Sequence, residues 1–394
     1  MIVGVVGAGT MGAGIAQVCL QAGHEVLLYD IDDAAIGRGR ERVEAGLERG
    51  VARGRVPADD AAAARARLRN AHTLDAVAAE ADLVIEAALE DIELKRTIFR
   101  ALDGLARPDA ILATNTSALS VGEIAAVTSR PGRVVGLHFF NPAPAMALVE
   151  VVAADATAAE TVDRAVAFCR GLGKTPVVCA DSPGFIVNRV IRPFTLEALR
   201  FVDAGEAAIE DVDEAMEAAG YPMGPFRLMD LVGIDVNLAV ARSLYAAFDE
   251  APRFRPSPLQ SAMVEAGRLG RKTGIGFYRY AADGALGIAD LPTTYAPAHP
   301  KSGGAAPAAR ITARIELAII NEAYHAVDEQ VAEPPDIDRA MRLGAGHPKG
   351  PFERAGDLGL RVVVEGLARL ARSHEPDAAG RFTPAEGLWR IATI

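Results

Sequence analysis

The chain has 394 residues, with 41 Lys and Arg against 52 Asp and Glu and a net charge of −11. That balance excludes a general nucleic-acid or anionic-membrane binder, and the length fits two or three domains, each with its own core. No apolar run is long enough to span a bilayer and no signal peptide precedes the first strand, so the expected compartment is the cytoplasm. Cys19, Cys169 and Cys179 lie in apolar stretches without metal-ligand spacing; they read as reduced, buried thiols, and no metal site is expected.

The first predicted strand, Ile2 to Val6, runs straight into Gly7-Ala8-Gly9-Thr10-Met11-Gly12 and then a helical stretch, Ile15 to Gln21. The next apolar run, Glu25 to Tyr29, ends on Asp30. This is the pattern of a dinucleotide site. Gly7 allows a tight strand-to-helix turn, Gly9 has no side chain to hold a pyrophosphate off the backbone, and Gly12 lets the helix press close. Thr10 and Met11 open the helix whose N-terminal N–H groups meet the phosphates. Asp30 would accept from a ribose 2′-hydroxyl and repel a 2′-phosphate, which argues for NAD over NADP. The predicted helix from Ala34 to Gly54 carries Arg38, Arg40, Arg42, Arg49, Arg53 and Arg55 interleaved with Glu41, Glu44 and Glu48, mostly a solvated, ion-paired face. Further strands are predicted at Asp82 to Ala87, Ala110 to Thr114, Val134 to Phe140, Leu148 to Val152 and Thr175 to Cys179. Strands alternating with helices predict an α/β fold of Rossmann type over residues 1–182, a doubly wound parallel sheet.

At Asp181-Ser182-Pro183-Gly184 the pattern changes, with Ser182 and Pro183 fit to start a helix and Pro193 expected to kink it. Residues 183–280 read as a first all-helical domain, 281–310 as an Ala/Gly/Pro-rich linker, and 311–394 as a second helical domain. The two helical segments repeat one another. Asp211-Val212-Asp213-Glu214-Ala215-Met216 returns as Asp336-Ile337-Asp338-Arg339-Ala340-Met341, and Pro222-Met223-Gly224-Pro225-Phe226 as Pro348-Lys349-Gly350-Pro351-Phe352. A tandem helical repeat is expected.

The strings Asp82-Leu83-Val84-Ile85-Glu86-Ala87, Ala113-Thr114-Asn115-Thr116-Ser117, Gly136-Leu137-His138-Phe139-Phe140-Asn141-Pro142, Leu148-Val149-Glu150-Val151 and Asp181-Ser182-Pro183-Gly184-Phe185-Ile186-Val187-Asn188-Arg189 resemble the 3-hydroxyacyl-CoA dehydrogenase family. Met223-Gly224-Pro225-Phe226 and Gly270-Arg271-Lys272-Thr273-Gly274 extend the resemblance over nearly the whole chain. It implies reversible oxidation of an (S)-3-hydroxyacyl-CoA by NAD, at a site between the first domain and the first repeat. The residues suit that chemistry by themselves. Oxidising a secondary alcohol requires a base near neutral pKa for the hydroxyl proton, and His138 ends a predicted strand at the sheet edge. Glu150, near the end of the next strand, is expected to hold one imidazole nitrogen.

By the resemblance, Ser117 touches the substrate hydroxyl near the nicotinamide, Asn141 contacts the nicotinamide, and Glu90 and Lys95 line its ribose. Asn188 reaches the substrate's 3-oxygen or thioester carbonyl. Ser117 also reads as a helix cap, Asn141 as a turn residue, Asn188 as a solvated helix position, and Glu90 with Lys95 as a charged helix start. One or two of the arginines after Asp30 are candidates for the CoA 3′-phosphate. The second repeat has no Pro-Gly-Phe-Ile-Val-Asn string and has Gly356 at the Asp230 position; it is expected to be structural, making either a monomer with an internal pseudo-dimer or a homodimer. Two other readings share the motifs: a dehydrogenase of a free hydroxy acid or sugar acid, and a non-catalytic NAD-binding protein of the crystallin kind.

Overall fold

A computed structural model describes residues 1–281, 286–295 and 306–392, which fall into two compact units, Met1–Phe185 and Ile186 onward. The first unit is built on one eight-stranded sheet: β1 (Ile2–Val6), β2 (Glu25–Tyr29), β3 (Leu68–Asn70), β4 (Leu83–Glu86), β5 (Ile111–Thr114), β6 (Val134–Phe139), β7 (Leu148–Ala153) and β8 (Thr175–Ala180). The strand order is β3-β2-β1-β4-β5-β6-β7-β8, so the chain reverses direction across the sheet between β1 and β4, where an α/β sheet opens its ligand crevice.

From β3 to β6 the strands are parallel, and their near-continuous apolar runs are buried by helices on both faces. The all-parallel expectation fails at one place. β7 runs antiparallel to β6 and carries β8 with it. Only residues 140–147 connect β6 to β7, too few for a parallel crossover. The short β3, with one buried side chain among three, is not among the predicted strands.

Local caps set the helix starts that flank the crevice. Asp32 accepts from the Ala35 N–H at the head of the helix Asp33–Ala52, and Asp91 from the Leu94 N–H at the head of Ile92–Leu105. All three cysteines are buried free thiols, and burial pushes Cys169 up to about 12.

The second unit is helical. The turn over residues 182–186, with Gly184 at φ 74 and Phe185 at φ 50, delays the first helix to Val187–Val190. The expected start at Ser182 is therefore corrected: left-handed backbone there cannot continue a helix. Pro193 breaks the chain into a new helix, Arg192–Asp203, rather than kinking one, because proline suits a helix's first turn. Of the expected linker 281–310, residues 282–285 and 296–305 lie outside the described residues. Within the rest, β10 (Leu286–Ile288) pairs antiparallel with β9 (Tyr278–Tyr280), and the next helix starts at Ala308.

The same local design occurs twice in this unit. The Asp213 carboxylate accepts from the Phe226 and Arg227 N–H groups at 2.9 and 3.2 Å, and Asp338 from those of Phe352 and Glu353 at 2.8 and 3.1 Å. The two halves meet reciprocally: Gly220 abuts Pro348, Gly346 abuts Pro222, and the equivalent rings of Tyr221 and His347 pack edge to face, 5.0 Å apart. Buried ions tie the helix Arg192–Asp203 to Ala308–Asp328. Glu197 is held by Arg314 at 2.7 Å and Arg381 at 2.8 Å, which keeps its carboxyl far below the usual range despite burial. Arg189 bonds Glu322 and Glu329, both at 2.7 Å. Among the described residues, no helix is long and apolar enough to cross a membrane.

Candidate active site

The glycine turn fits a dinucleotide by shape. Gly7 takes φ 101, and a side chain there would collide with the carbonyl of Ala87 beyond β4. A Cβ on Gly12 would lie 1.7 Å from the Gly7 carbonyl oxygen, so only glycine closes this turn onto the helix Thr10–Gln21. A Cβ on Gly9 would meet nothing within 4 Å, leaving open space beside the helix N-terminus for phosphates. At the end of β2, Asp30 accepts from the Ala8 N–H at 2.7 Å and the Ile31 N–H at 2.7 Å, which ties the acid to the glycine loop and fixes its place at the crevice. Its carboxylate oxygens keep acceptor capacity for a ribose hydroxyl.

Across the β1–β4 reversal lies a charged network. Glu86 ends β4 fully buried, and its carboxylate accepts from the Thr114 hydroxyl at the end of β5 and pairs with the Lys95 ammonium, both at 2.7 Å. Lys95, 1 % exposed, also reaches Glu90 at 3.4 Å. Glu90 in turn accepts from the Thr116 hydroxyl at 2.6 Å and the Ser117 N–H at 2.8 Å. Burial pushes the Glu90 carboxyl up, but the Lys95 charge and these hydrogen bonds outweigh it and hold it below the ordinary range. Ser117 is therefore bound to Glu90, and the helix cap expected of it belongs to Ser120, which accepts from the Glu123 N–H. Glu90 and Lys95 are more than a charged helix start, since Lys95 points into the protein.

His138 and Glu150 are direct cross-strand partners in the antiparallel β6–β7 pair. On such a pair, facing side chains project to the same side of the sheet. The His138 Nδ1 lies 2.6 Å from Glu150 Oε2, with the imidazole 6 % exposed and the carboxylate fully buried. Phe140 and Phe185 pack on the imidazole at 4.4 and 5.8 Å between ring centres. Glu150 helps push the buried Cys179 thiol well above its usual value, after burial itself. Asn115 accepts from the Phe139 N–H at 2.9 Å, locking β6 beside the end of β5. Asn141 follows β6 on an exposed loop, which Lys174 pins by donating to the Ala143 and Met146 carbonyls.

Asn188 belongs to the second unit, in the first turn of Val187–Val190. Sequence reasoning passed over Glu86, Thr114 and Thr116. The available signal was an acid closing an otherwise apolar strand at the sheet's carboxyl edge. Among the arginines after Asp30, Arg40 pairs with Glu44, but Arg38, Arg42, Arg49, Arg53 and Arg55 line a cleft of about 930 Å³ whose far rim is residues 141–145. Among the described residues, none of these five forms an ion pair, so the expected salt-bridged face holds only in part.

Comparison with known proteins identifies the family. Residues 2–182 match the model of the 3-hydroxyacyl-CoA dehydrogenase NAD binding domain, and residues 184–280 and 311–392 that of the same family's C-terminal domain. The 3-hydroxyadipyl-CoA dehydrogenase of Escherichia coli (strain K12) is 38% identical over 100% of this chain and 97% of its own. The 3-hydroxybutyryl-CoA dehydrogenase of Mycobacterium tuberculosis (strain ATCC 25618 / H37Rv) is 45% identical over 71% of this chain and 98% of its own. The crystal structure of 3-hydroxybutyryl-CoA dehydrogenase from Escherichia coli K12 superimposes with a TM-score of 0.89 at 37% identity, covering 100% of this chain and 98% of that one. With a nucleotide crevice, a matched NAD binding domain and relatives aligned end to end, this chain belongs to the 3-hydroxyacyl-CoA dehydrogenase family of NAD-dependent oxidoreductases.

Proposed function

We propose that the chain oxidises (S)-3-hydroxyacyl-CoA reversibly to 3-oxoacyl-CoA, with His138 as the proton-transfer residue and Glu150 holding it. The observation that carries this reading is the buried 2.6 Å contact between His138 Nδ1 and Glu150 Oε2. A carboxylate on Nδ1 fixes the tautomer that leaves Nε2 as the acceptor, steadies the ring and stabilises the imidazolium once a proton arrives. His138 then takes the 3-hydroxyl proton in oxidation and returns one to the 3-oxygen in reduction. Proton transfer of this kind contributes about 10²–10⁴ in rate. Bound NAD supplies the hydride acceptor.

Ser117 and Asn188 are assigned to the substrate's oxygen atoms, as hydroxyl and amide partners for the developing charge. The Gly7–Gly12 turn with Thr10 and Met11 is assigned to the pyrophosphate, and Asp30 to the adenosine ribose. Glu90, Lys95 and Asn141 are assigned to the nicotinamide half. The five arginines of the cleft are the candidates for the CoA phosphates, by bidentate contacts. Both 3-hydroxybutyryl-CoA and 3-hydroxyadipyl-CoA, named for the relatives above, are candidate substrates.

We further read residues 1–182 as the cofactor domain and the two repeats as an internal pseudo-dimer, in the cytoplasm. The reciprocal glycine–proline contacts support the pairing, because a two-fold interface places the same patch on both partners. Sedimentation giving an obligate dimer through the first repeat would count against it. The reaction is tested by NADH consumption with acetoacetyl-CoA. Turnover of the thioester supports the proposal; turnover of only a free keto acid supports the hydroxy-acid reading, and NADH binding without any turnover supports a non-catalytic protein.

A further inference from the structure

The charged network across the β1–β4 reversal has a property that cofactor binding alone does not require. It contains two carboxylates and one ammonium. Glu86 and Lys95 are 0 % and 1 % exposed, and Glu86 is also clamped by the Thr114 hydroxyl and the Ala88 N–H, each at 2.7 Å. Glu90 is held 3.4 Å from the same ammonium. One negative charge is left in excess. The other acids nearby face water: Asp91 caps its helix, and Glu93 pairs with Arg96, which also reaches Glu123. Water and salt screen those groups and, in part, Glu90, which is 40 % exposed, whereas the Glu86 carboxylate is shut away from water and keeps its field.

The network stands at the carboxyl ends of β4 and β5, on the far side of the Gly7 turn from Asp30. A dinucleotide laid along this edge, with its adenosine ribose at β2 and its pyrophosphate at β1, carries its other end over β4 and β5. That end is the nicotinamide, which is a cation when oxidised and neutral when reduced.

We propose that Glu86 is a positioning residue that biases this site toward the oxidised cofactor, because its carboxylate gives the Glu86–Lys95–Glu90 cluster its excess negative charge beside the nicotinamide. Without Glu86 the remaining pair is neutral and the bias disappears. The inference rests on the assignment of NAD and is independent of the acyl substrate.

The test titrates NAD⁺ and NADH separately into the full chain by calorimetry. In Glu86→Gln the ratio of the two dissociation constants moves toward NADH by about tenfold, equivalent to about 30 mV in the bound two-electron couple. Glu90→Gln removes the same unit charge from a half-exposed position and moves the ratio in the same direction, so the idea stays testable if Glu86→Gln fails to fold. The Glu86→Gln/Lys95→Met pair restores the original net charge and returns the ratio to the wild-type value. Equal weakening of both forms in the single variants, or a double variant that keeps the shifted ratio, overturns the proposal. A purely structural role would move both constants together.

Discussion

One residue of the second repeat, His347, should make the helical unit lose stability in acid. The ring is 5 % exposed, packed on Tyr221 and Phe194, and no hydrogen-bond partner for its Nε2 occurs among the described residues. Burial pushes its pKa down from 6.5 to about 4. Below pH 6.5 the unfolded chain takes up a proton that the folded state refuses. The unfolded state then binds more protons, so stability rises with pH; it is intact above the unfolded value and falls as pH drops from 6.5 toward about 4. The full window is worth about 3 kcal/mol, and about 2 kcal/mol is gone by about pH 5.

His347→Phe keeps the ring packing and removes the titration. Urea unfolding of wild type and variant, followed by circular dichroism at about pH 7.5 and about pH 5, reads the difference. The variant should keep about 2 kcal/mol that the wild type loses between these conditions, and should be no less stable near neutrality, since it buries no orphaned nitrogen. Asp213, pushed up to about 6 by burial, changes stability in the opposite sense, but it does so in both proteins and cancels in the comparison. Parallel pH slopes for the two proteins would refute the reasoning.

Three further outcomes rest on the geometry. Gly12→Ala drives a methyl into the Gly7 carbonyl 1.7 Å away, and should weaken NADH binding at least about tenfold in a fluorescence titration while leaving the helical unit's melting unchanged. Asp30→Ser removes the acid that repels a 2′-phosphate, so the preference for NAD over NADP should narrow by about tenfold in paired binding measurements, with weaker NAD binding because the Ala8 N–H loses its acceptor. Glu197→Ala removes the buried carboxylate from between Arg314 and Arg381 and leaves the two guanidinium groups only Glu375 to share, and should cost about 3 kcal/mol in urea unfolding.

Much of this is legible in the sequence, for reasons tied to particular residues. The glycine turn and Asp30 are read in one dimension, because strand, turn, helix and acid follow one another locally. The helical repeat is visible because Asp213 and Asp338 each serve a Pro-Phe helix start, with the Phe 13 and 14 residues downstream. His138 and Glu150 are identifiable as an expected pair, but the antiparallel strand pairing that sets them face to face is not. The clue is the short connection between their strands, residues 140–147, which leaves no room for a crossover. Glu86 is hidden because nothing local reveals its partners: Lys95 is nine residues on and Thr114 is twenty-eight, brought together only by the sheet. The helix start at Val187 is misread from sequence because Ser182-Pro183 is a good helix opening, overridden by the left-handed backbone at Gly184 and Phe185.

The most direct test of the central claim, that Glu150 acts through His138, is a double-mutant comparison. Steady-state rates with acetoacetyl-CoA and NADH are measured for His138→Gln, Glu150→Gln and the two combined, alongside NADH affinity. The expected result is a loss of about 10²–10⁴ in kcat for His138→Gln, a smaller loss for Glu150→Gln, no further loss in the double variant, and unchanged NADH affinity. Losses that multiply in the double variant, or a His138→Gln enzyme that keeps its rate, would contradict it.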